Sequence, residues 1–170
     1  MCSCRPCQLV FEPEGAAQGR YKSIPSRYVE VAEAAIDDAQ WDALQIPIGL
    51  AFLFFNSQEK RMAAFYPGPA GATESLLSLE TWEEIAAANP DFATLEPDVE
   101  AILIRRAGGP REGKLERTQC FIVPIDSAYE LVGLMRTTWR GFDGGEEAWA
   151  RLGEFFEKIR ARSRAEVATP

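Results

Sequence analysis

Along the chain, apolar and polar positions change their period several times, and each change predicts an element. The run Ile48-Gly49-Leu50-Ala51-Phe52-Leu53-Phe54-Phe55 carries no polar side chain. Unbroken apolarity over a strand's length, ending in bulky side chains, predicts a central strand buried on both faces. Asn56 to Lys60 is a polar turn, and Met62 to Tyr66 returns as a second strand, which makes the two a hairpin. Val99 to Ile104 and Gln119 to Ile125 predict a third and a fourth core strand, joined through the glycine-rich turn at Gly108-Gly109-Pro110. Shorter extended pieces are expected at Tyr21 to Ile24 and Tyr28 to Val31, on either side of Pro25-Ser26.

Helical spacing appears between and after these strands. Asp37-Asp38 offers a helix N-terminus ahead of Trp41 and Leu44, and Pro47 stops that helix. Leu79 to Ala88 places Leu79, Trp82, Ile85 and Ala86 on one side before Asn89-Pro90 ends the pattern. A third helix is expected from a cap at Asp126 or Ser127 through Met135, with Tyr129, Val132 and Met135 at spacing three. The last, Glu146 to about Arg162, aligns Trp149, Leu152, Phe156 and Ile159 in one amphipathic stripe. The class these elements predict is α+β: a mostly antiparallel sheet of four to six strands covered by about four helices. The chain divides into a cysteine segment over 1–11, a single domain over 12–163 and a frayed tail over 164–170.

Composition narrows the functions open to such a domain. Its 170 residues suffice for one real core. The 18 basic and 26 acidic residues give a net charge of -8, a field that repels phosphate backbones and anionic membrane surfaces. Neither nucleic acid nor membrane is therefore expected as a partner. The basic positions Arg105, Arg106, Arg111, Lys114 and Arg117 alternate with Glu112, Glu116 and glycines, and read as a solvated hairpin turn. The longest apolar run is about half what a transmembrane helix needs, and the first residues lack the hydrophobic core of a secretory signal. A cytoplasmic location with reduced thiols is expected. There is no histidine, which removes Ser-His-Asp and Cys-His nucleophile activation and every His-ligated metal centre. The acidic pairs Asp37-Asp38, Glu83-Glu84 and Glu146-Glu147 sit where carboxylates favour a helix dipole. No residue is assigned a catalytic role.

The strongest chemical signal is Cys2-Ser3-Cys4-Arg5-Pro6-Cys7. A C-x2-C pair, here Cys4 and Cys7, presents two thiolates to one metal from a tight turn, and Cys2 adds a third. Zinc wants four ligands, so Cys120, a carboxylate or residues upstream of Met1 would complete the set. Iron ligation by the same thiols ranks below zinc, a redox pair ranks lower still, and the plain alternative is a group of free terminal thiols. Cys120, ahead of Phe121-Ile122-Val123, reads as a small core hydrophobe.

Two loops stand out as well. The stretch Tyr66-Pro67-Gly68-Pro69-Ala70-Gly71-Ala72-Thr73-Glu74-Ser75 lacks the lysine of a phosphate-binding loop and reads as a rigid turn feeding a helix capped by Thr73 or Ser75. Arg136-Thr137-Thr138-Trp139-Arg140-Gly141-Phe142-Asp143-Gly144-Gly145 sets two arginines around a tryptophan, the residue types most enriched at interface hot spots. The candidate contact residues for a partner or small ligand are Tyr66, Glu74, Arg136, Trp139 and Arg140. The plain alternative for the second loop is a surface turn in which Trp139 caps the core.

Several separated motifs then converge. The Cys-x-Cys-Arg-Pro-Cys segment, the apolar strand with Ala64-Phe65-Tyr66-Pro67, and Gly71-Ala72-Thr73-Glu74-Ser75-Leu76-Leu77 are three of them. Leu95-Glu96-Pro97-Asp98-Val99-Glu100-Ala101 and the Arg136 to Gly145 loop are two more. Together they resemble an uncharacterised, mainly actinobacterial family encoded near nickel–iron hydrogenase genes. The resemblance implies a non-enzymatic accessory or binding protein that assists assembly or maturation of a metalloenzyme such as that hydrogenase. It implies a protein partner, a hydrogenase subunit or a maturation factor, and a small zinc- or rubredoxin-like knuckle at the cysteine segment, with zinc ranked ahead of iron here. Members of the family carry a further C-x2-C pair upstream. Here Met1 stands immediately before Cys2, so the expectation is a start site placed late, and a chain that need hold no metal. The alternatives are a thiolate-metal redox component and a small-ligand domain with a cleft between Tyr66, Glu74 and Arg136.

Overall fold

All four expected core strands join one sheet. The computed structural model describes residues 10, 22–31, 36–75, 77–106, 117–141 and 144–167. Its strands are β1 (Val29–Glu30), β2 (Leu50–Asn56), β3 (Arg61–Gly68), β4 (Gly71–Ser75), β5 (Glu100–Arg105) and β6 (Gln119–Pro124). They lie in the order β1-β6-β5-β2-β3-β4, and every neighbouring pair is antiparallel. The register sets Ala51 opposite Ile104 and Leu53 opposite Ile102, with Phe52 opposite Leu103 on the other face. Leu50 to Leu53 and Ala101 to Ile104 are all buried, which is why these runs show no polar alternation.

Helices close both faces, so the α+β expectation holds. On one side lie α1 (Asp38–Ala43), α2 (Leu79–Ala88) and a 3-10 turn (Pro90–Thr94), which bury Trp41, Ile85 and Phe92 against Ala51, Leu53, Ile102, Ile104 and Ile122. On the other lie α3 (Ile125–Thr138) and α4 (Gly145–Val167), which bury Leu131, Met135, Leu152, Phe156 and Ile159 against Phe52, Leu103 and Phe121. Each large side chain buried this way stabilises the fold by about 1.5–3 kcal/mol.

Helix limits follow their caps. The Asp37 carboxylate accepts from the Gln40 N–H while the Gln40 side chain accepts from the Asp37 N–H, a reciprocal capping box. The chain leaves α1 through Gln45 at φ +52, ahead of Pro47. Ser78 caps α2 by accepting from Thr81 N–H, and the Asn89 side chain donates to the Ile85 carbonyl at its end.

Six expectations need correction. Tyr66 to Ser75 is a second hairpin, with Tyr66 opposite Thr73 and Gly68 opposite Gly71, and not a turn capped by Thr73 or Ser75. Pro67 is tolerated there because β2 pairs with β3 only as far as Phe65, so the missing N–H faces a stretch that only β4 joins. The third helix begins on Pro124, which has no side-chain cap bond, and Ser127 lies buried inside it, hydroxyl to hydroxyl with Tyr28 at 3.1 Å. Tyr129 is 59% exposed, because the buried stripe runs through Ala128, Leu131, Val132 and Met135. Arg105 and Arg106 are not a solvated turn: strand alternation sends Arg105 over the Phe156 ring of α4 and Arg106 over Trp41 of α1, where it also pairs with Asp38. Residues 22–24 form no strand, and the edge strand β1 is confined to Val29–Glu30. At the other end α4 continues past Ser163, whose buried hydroxyl donates to the Ile159 carbonyl, as far as Val167. Among the described residues, no helix is long and apolar enough to cross a membrane.

Candidate functional site

The corner between α3 and α4 is locked from within. At the end of α3 the hydroxyls of Thr137 and Thr138 donate back to the carbonyl of Leu134. The chain then turns, and the Arg140 N–H donates to the Gly144 carbonyl over 3.1 Å to make an isolated antiparallel bridge. Trp139 sits in this bend, half-buried against Trp149 with ring centroids 6.0 Å apart, and its indole N–H donates to the Gly141 carbonyl. Gly144 has φ +85, and a Cβ placed on it would lie 2.8 Å from two carbons of the Trp139 ring. Only glycine satisfies both conditions. Trp139 is therefore the wedge that holds the corner, as the plain sequence reading had it. Arg136, in the last turn of α3 where a cation suits the helix dipole, and Arg140 both face solvent. Arg140 donates to the Trp139 carbonyl.

The other candidate contact residues do not share this place as a group. Glu74 on β4 stands opposite Phe65, and Tyr66 stands opposite Thr73, so strand alternation puts Tyr66 and Glu74 on opposite faces of the sheet. Tyr66 packs on the α1–α2 side, whereas exposed Glu74 pairs with Arg61 at 2.7 Å. A single cleft between Tyr66, Glu74 and Arg136 does not form. Cys2, Cys4 and Cys7 lie outside the described residues. Cys120 is buried within the sheet core beside Ile104 and Ile122. Burial, with a smaller contribution from Asp91, pushes its thiol far up, in keeping with its place as a small core hydrophobe. Among the described residues, no three Cys, Asp or Glu side chains gather in a way that could hold a metal ion.

A second locus was not singled out by residue type. The segment before β1 crosses the loop before β5, and between them lies an open groove of about 450 Å³ lined by Pro25, Arg27, Thr94, Leu95, Pro97 and Glu100. At its base the Glu100 carboxylate, 1% exposed, takes Arg27 in a bidentate pair, with Nε at 2.9 Å and Nη2 at 2.7 Å. Glu100 also accepts from the Glu96 N–H, and Arg27 adds the Thr94 carbonyl. The missed signal was an acidic residue opening an apolar strand, on the same face as Ile102 and Ile104. A buried carboxylate there requires a cation.

Asp98 ties the same loop to the β2–β3 turn. It adopts φ +70, its N–H donates to the Phe55 carbonyl, and its carboxylate accepts from the Ser57 N–H at 2.8 Å. Desolvation raises its pKa, but hydrogen bonds from Ser57 and the charge of Lys22 outweigh that and hold it below the usual carboxylate value of 3.8. A depressed carboxylate stabilises the fold above its unfolded-state pKa and loses that contribution as pH falls through the folded one. Asp98→Asn, which keeps the left-handed backbone, is expected to cost about 0.5–1 kcal/mol at neutral pH, small because the group is exposed. In urea titrations the gap from wild type should close below pH 3.8. A constant gap would show that the carboxylate charge is not involved.

Fold and sites define a three-layer antiparallel α+β protein with a wedged basic corner and a clamped loop. Residues 1–163 match a family of unknown function, DUF5947, and the chain belongs to that family. No curated protein and no solved structure matches the chain.

Proposed function

We propose that this is a non-enzymatic accessory protein that docks on a protein partner to assist assembly or maturation of a metalloenzyme. The observation that carries the docking reading is the α3–α4 corner. Its wedge and bridge hold Trp139 in place without a partner, yet Arg136 and Arg140 stay in water on a chain of net charge -8. A preformed basic spot on an acidic body selects an acidic surface while the rest of the molecule repels it. The cysteine segment Cys2, Cys4 and Cys7 would hold zinc, or iron less readily, and the resemblance of the sequence motifs points to nickel–iron hydrogenase as the metalloenzyme.

Two measurements test this. Elemental analysis of the purified protein is expected to find zinc, or iron less readily, and Cys4→Ser/Cys7→Ser to remove it; no metal in the wild type would remove the metal role. In a host that makes nickel–iron hydrogenase, loss of the gene is expected to lower the nickel content and activity of that enzyme. The wild-type gene should restore both, and Arg136→Glu/Arg140→Glu should restore them poorly, with partner affinity reduced at least about tenfold. Full hydrogenase activity without the gene would remove the maturation role. Full rescue by the charge-reversed chain would remove the corner from it.

A further inference from the structure

We propose that the exposed face of α3 pairs with the same face of a second copy of this chain, antiparallel and centred on Gly133. The exposed residues of this helix are Asp126, Tyr129, Glu130, Gly133, Arg136 and Thr137, one stripe opposite its buried side. Gly133 lies at the middle of that stripe. Glycine weakens a helix interior, and a Cβ there would meet nothing within 4 Å, so packing inside the domain does not ask for it. What a glycine on an open helix face allows is close approach of another backbone. Beside it, Tyr129 turns 59% of its surface to water.

The order of side chains along α3 selects the occupant. At about 100° and 1.5 Å per residue, Tyr129 and Arg136 fall on one side of Gly133, about 6 Å before it and about 4.5 Å beyond it. Glu130 and Thr137 fall on the other side. A two-fold axis through Gly133 therefore sets Tyr129 of each copy level with Arg136 of the other, a cation against a ring. The acidic half of the stripe, Asp126 and Glu130, then runs beside the basic end of its mate, whereas a parallel pair would bring like charges level. Two bodies of net charge -8 repel each other at long range, so a contact between them must rest on such local matching. One helix face buries less than the about 800 Å² per partner of a standard interface, so the dimer is weak and reversible. Arg136 also belongs to the docking corner, so an acidic partner that takes it displaces the second copy. The pairing itself does not rest on the maturation role.

Sedimentation of the full chain is expected to show monomer below about 20 μM and a growing dimer fraction towards about 1 mM. Gly133→Glu, which sets two like charges on the axis, should weaken the dimer at least about tenfold. It should melt no lower than wild type, since glutamate is the better helix former. Arg136→Glu should weaken the dimer by a similar factor. Under mild oxidation Gly133→Cys should form a disulfide between the two copies at position 133, identified as a cross-linked peptide by mass spectrometry. Glu147→Cys, equally exposed but on α4, should not. A wild type that stays monomeric at about 1 mM, an undiminished dimer in Gly133→Glu, or no disulfide at position 133 would overturn the proposal. A monomeric chain that binds a synthetic acidic helix, and loses it in Gly133→Glu, would give the face to another protein and overturn the self-pairing likewise.

Discussion

Arg27→Ala is expected to lower the unfolding free energy by about 3–5 kcal/mol, because it leaves the Glu100 carboxylate buried without a counter-charge. The asymmetry between the partners is the instructive part. Glu100 is 1% exposed, whereas the Arg27 side chain is 34% exposed and can be hydrated when its partner is gone. Glu100→Gln should therefore cost less than Arg27→Ala, even though both break the same pair. Arg27→Lys should recover only part of the loss, since a single ammonium cannot match both carboxylate oxygens and the Thr94 carbonyl at once. Replacing both residues together, Arg27→Met with Glu100→Leu, should come back close to wild type, because the desolvation cost disappears with the charges. Urea midpoints at unchanged slope measure all four. An Arg27→Ala chain within about 1 kcal/mol of wild type would mean that water reaches Glu100 and that the clamp does not organise this loop.

Gly144→Ala carries the second large effect, about 2–4 kcal/mol, from two additive sources. An alanine at φ +85 is strained by about 1 kcal/mol, and its methyl would meet the Trp139 ring at 2.8 Å, an overpacking cost of about 1–3 kcal/mol. Gly141→Ala separates the two. Gly141 also has positive φ, +63, but a Cβ there meets nothing within 4 Å, so only the backbone part, about 1 kcal/mol, should appear. The Gly144 variant should also move Trp139 off Trp149, visible as altered tryptophan fluorescence and near-ultraviolet circular dichroism, which the Gly141 variant leaves unchanged. Equal losses in the two variants would show that the ring gives way freely and that the corner is not wedged. Because Arg140 hangs on the same bridge, Gly144→Ala should, on the proposed docking role, weaken binding of the proposed partner even though the arginines remain.

Much of this architecture was legible without coordinates. Ile48 to Phe55 had to be an inner strand, since no one-sided sheet surface tolerates eight consecutive positions without a polar side chain. The Asp37 helix start was equally readable, because capping is local and its hydrogen bond runs to Gln40, within one turn; Ser78, which caps the next helix by accepting from Thr81, was passed over for Thr73 or Ser75. Where local rules misled, a distant partner had intervened. Two prolines and two glycines over Pro67 to Gly71 suggested a break, yet β4 pairs through it because β2 pairs with β3 only as far as Phe65 and asks nothing of the Pro67 nitrogen. Tyr129 and Ala128 sit side by side in sequence, and only the packing of α3 on α4 and the sheet decided which faces inward.

The sites divide in the same way. Sequence alone marked the Arg136 to Gly145 loop as unusual, through its tryptophan, arginines and glycines, and marked Leu95 to Ala101 as a motif. That Trp139 is the wedge, that Tyr66 and Glu74 part to opposite faces, and that Glu100 finds its cation in Arg27 were decided by tertiary structure. The physical reason is range. Strand alternation, helix period and capping act over a few residues and are written into the chain in order, whereas the charge that Glu100 needs lies 73 residues away and is chosen only when the sheet brings the two together.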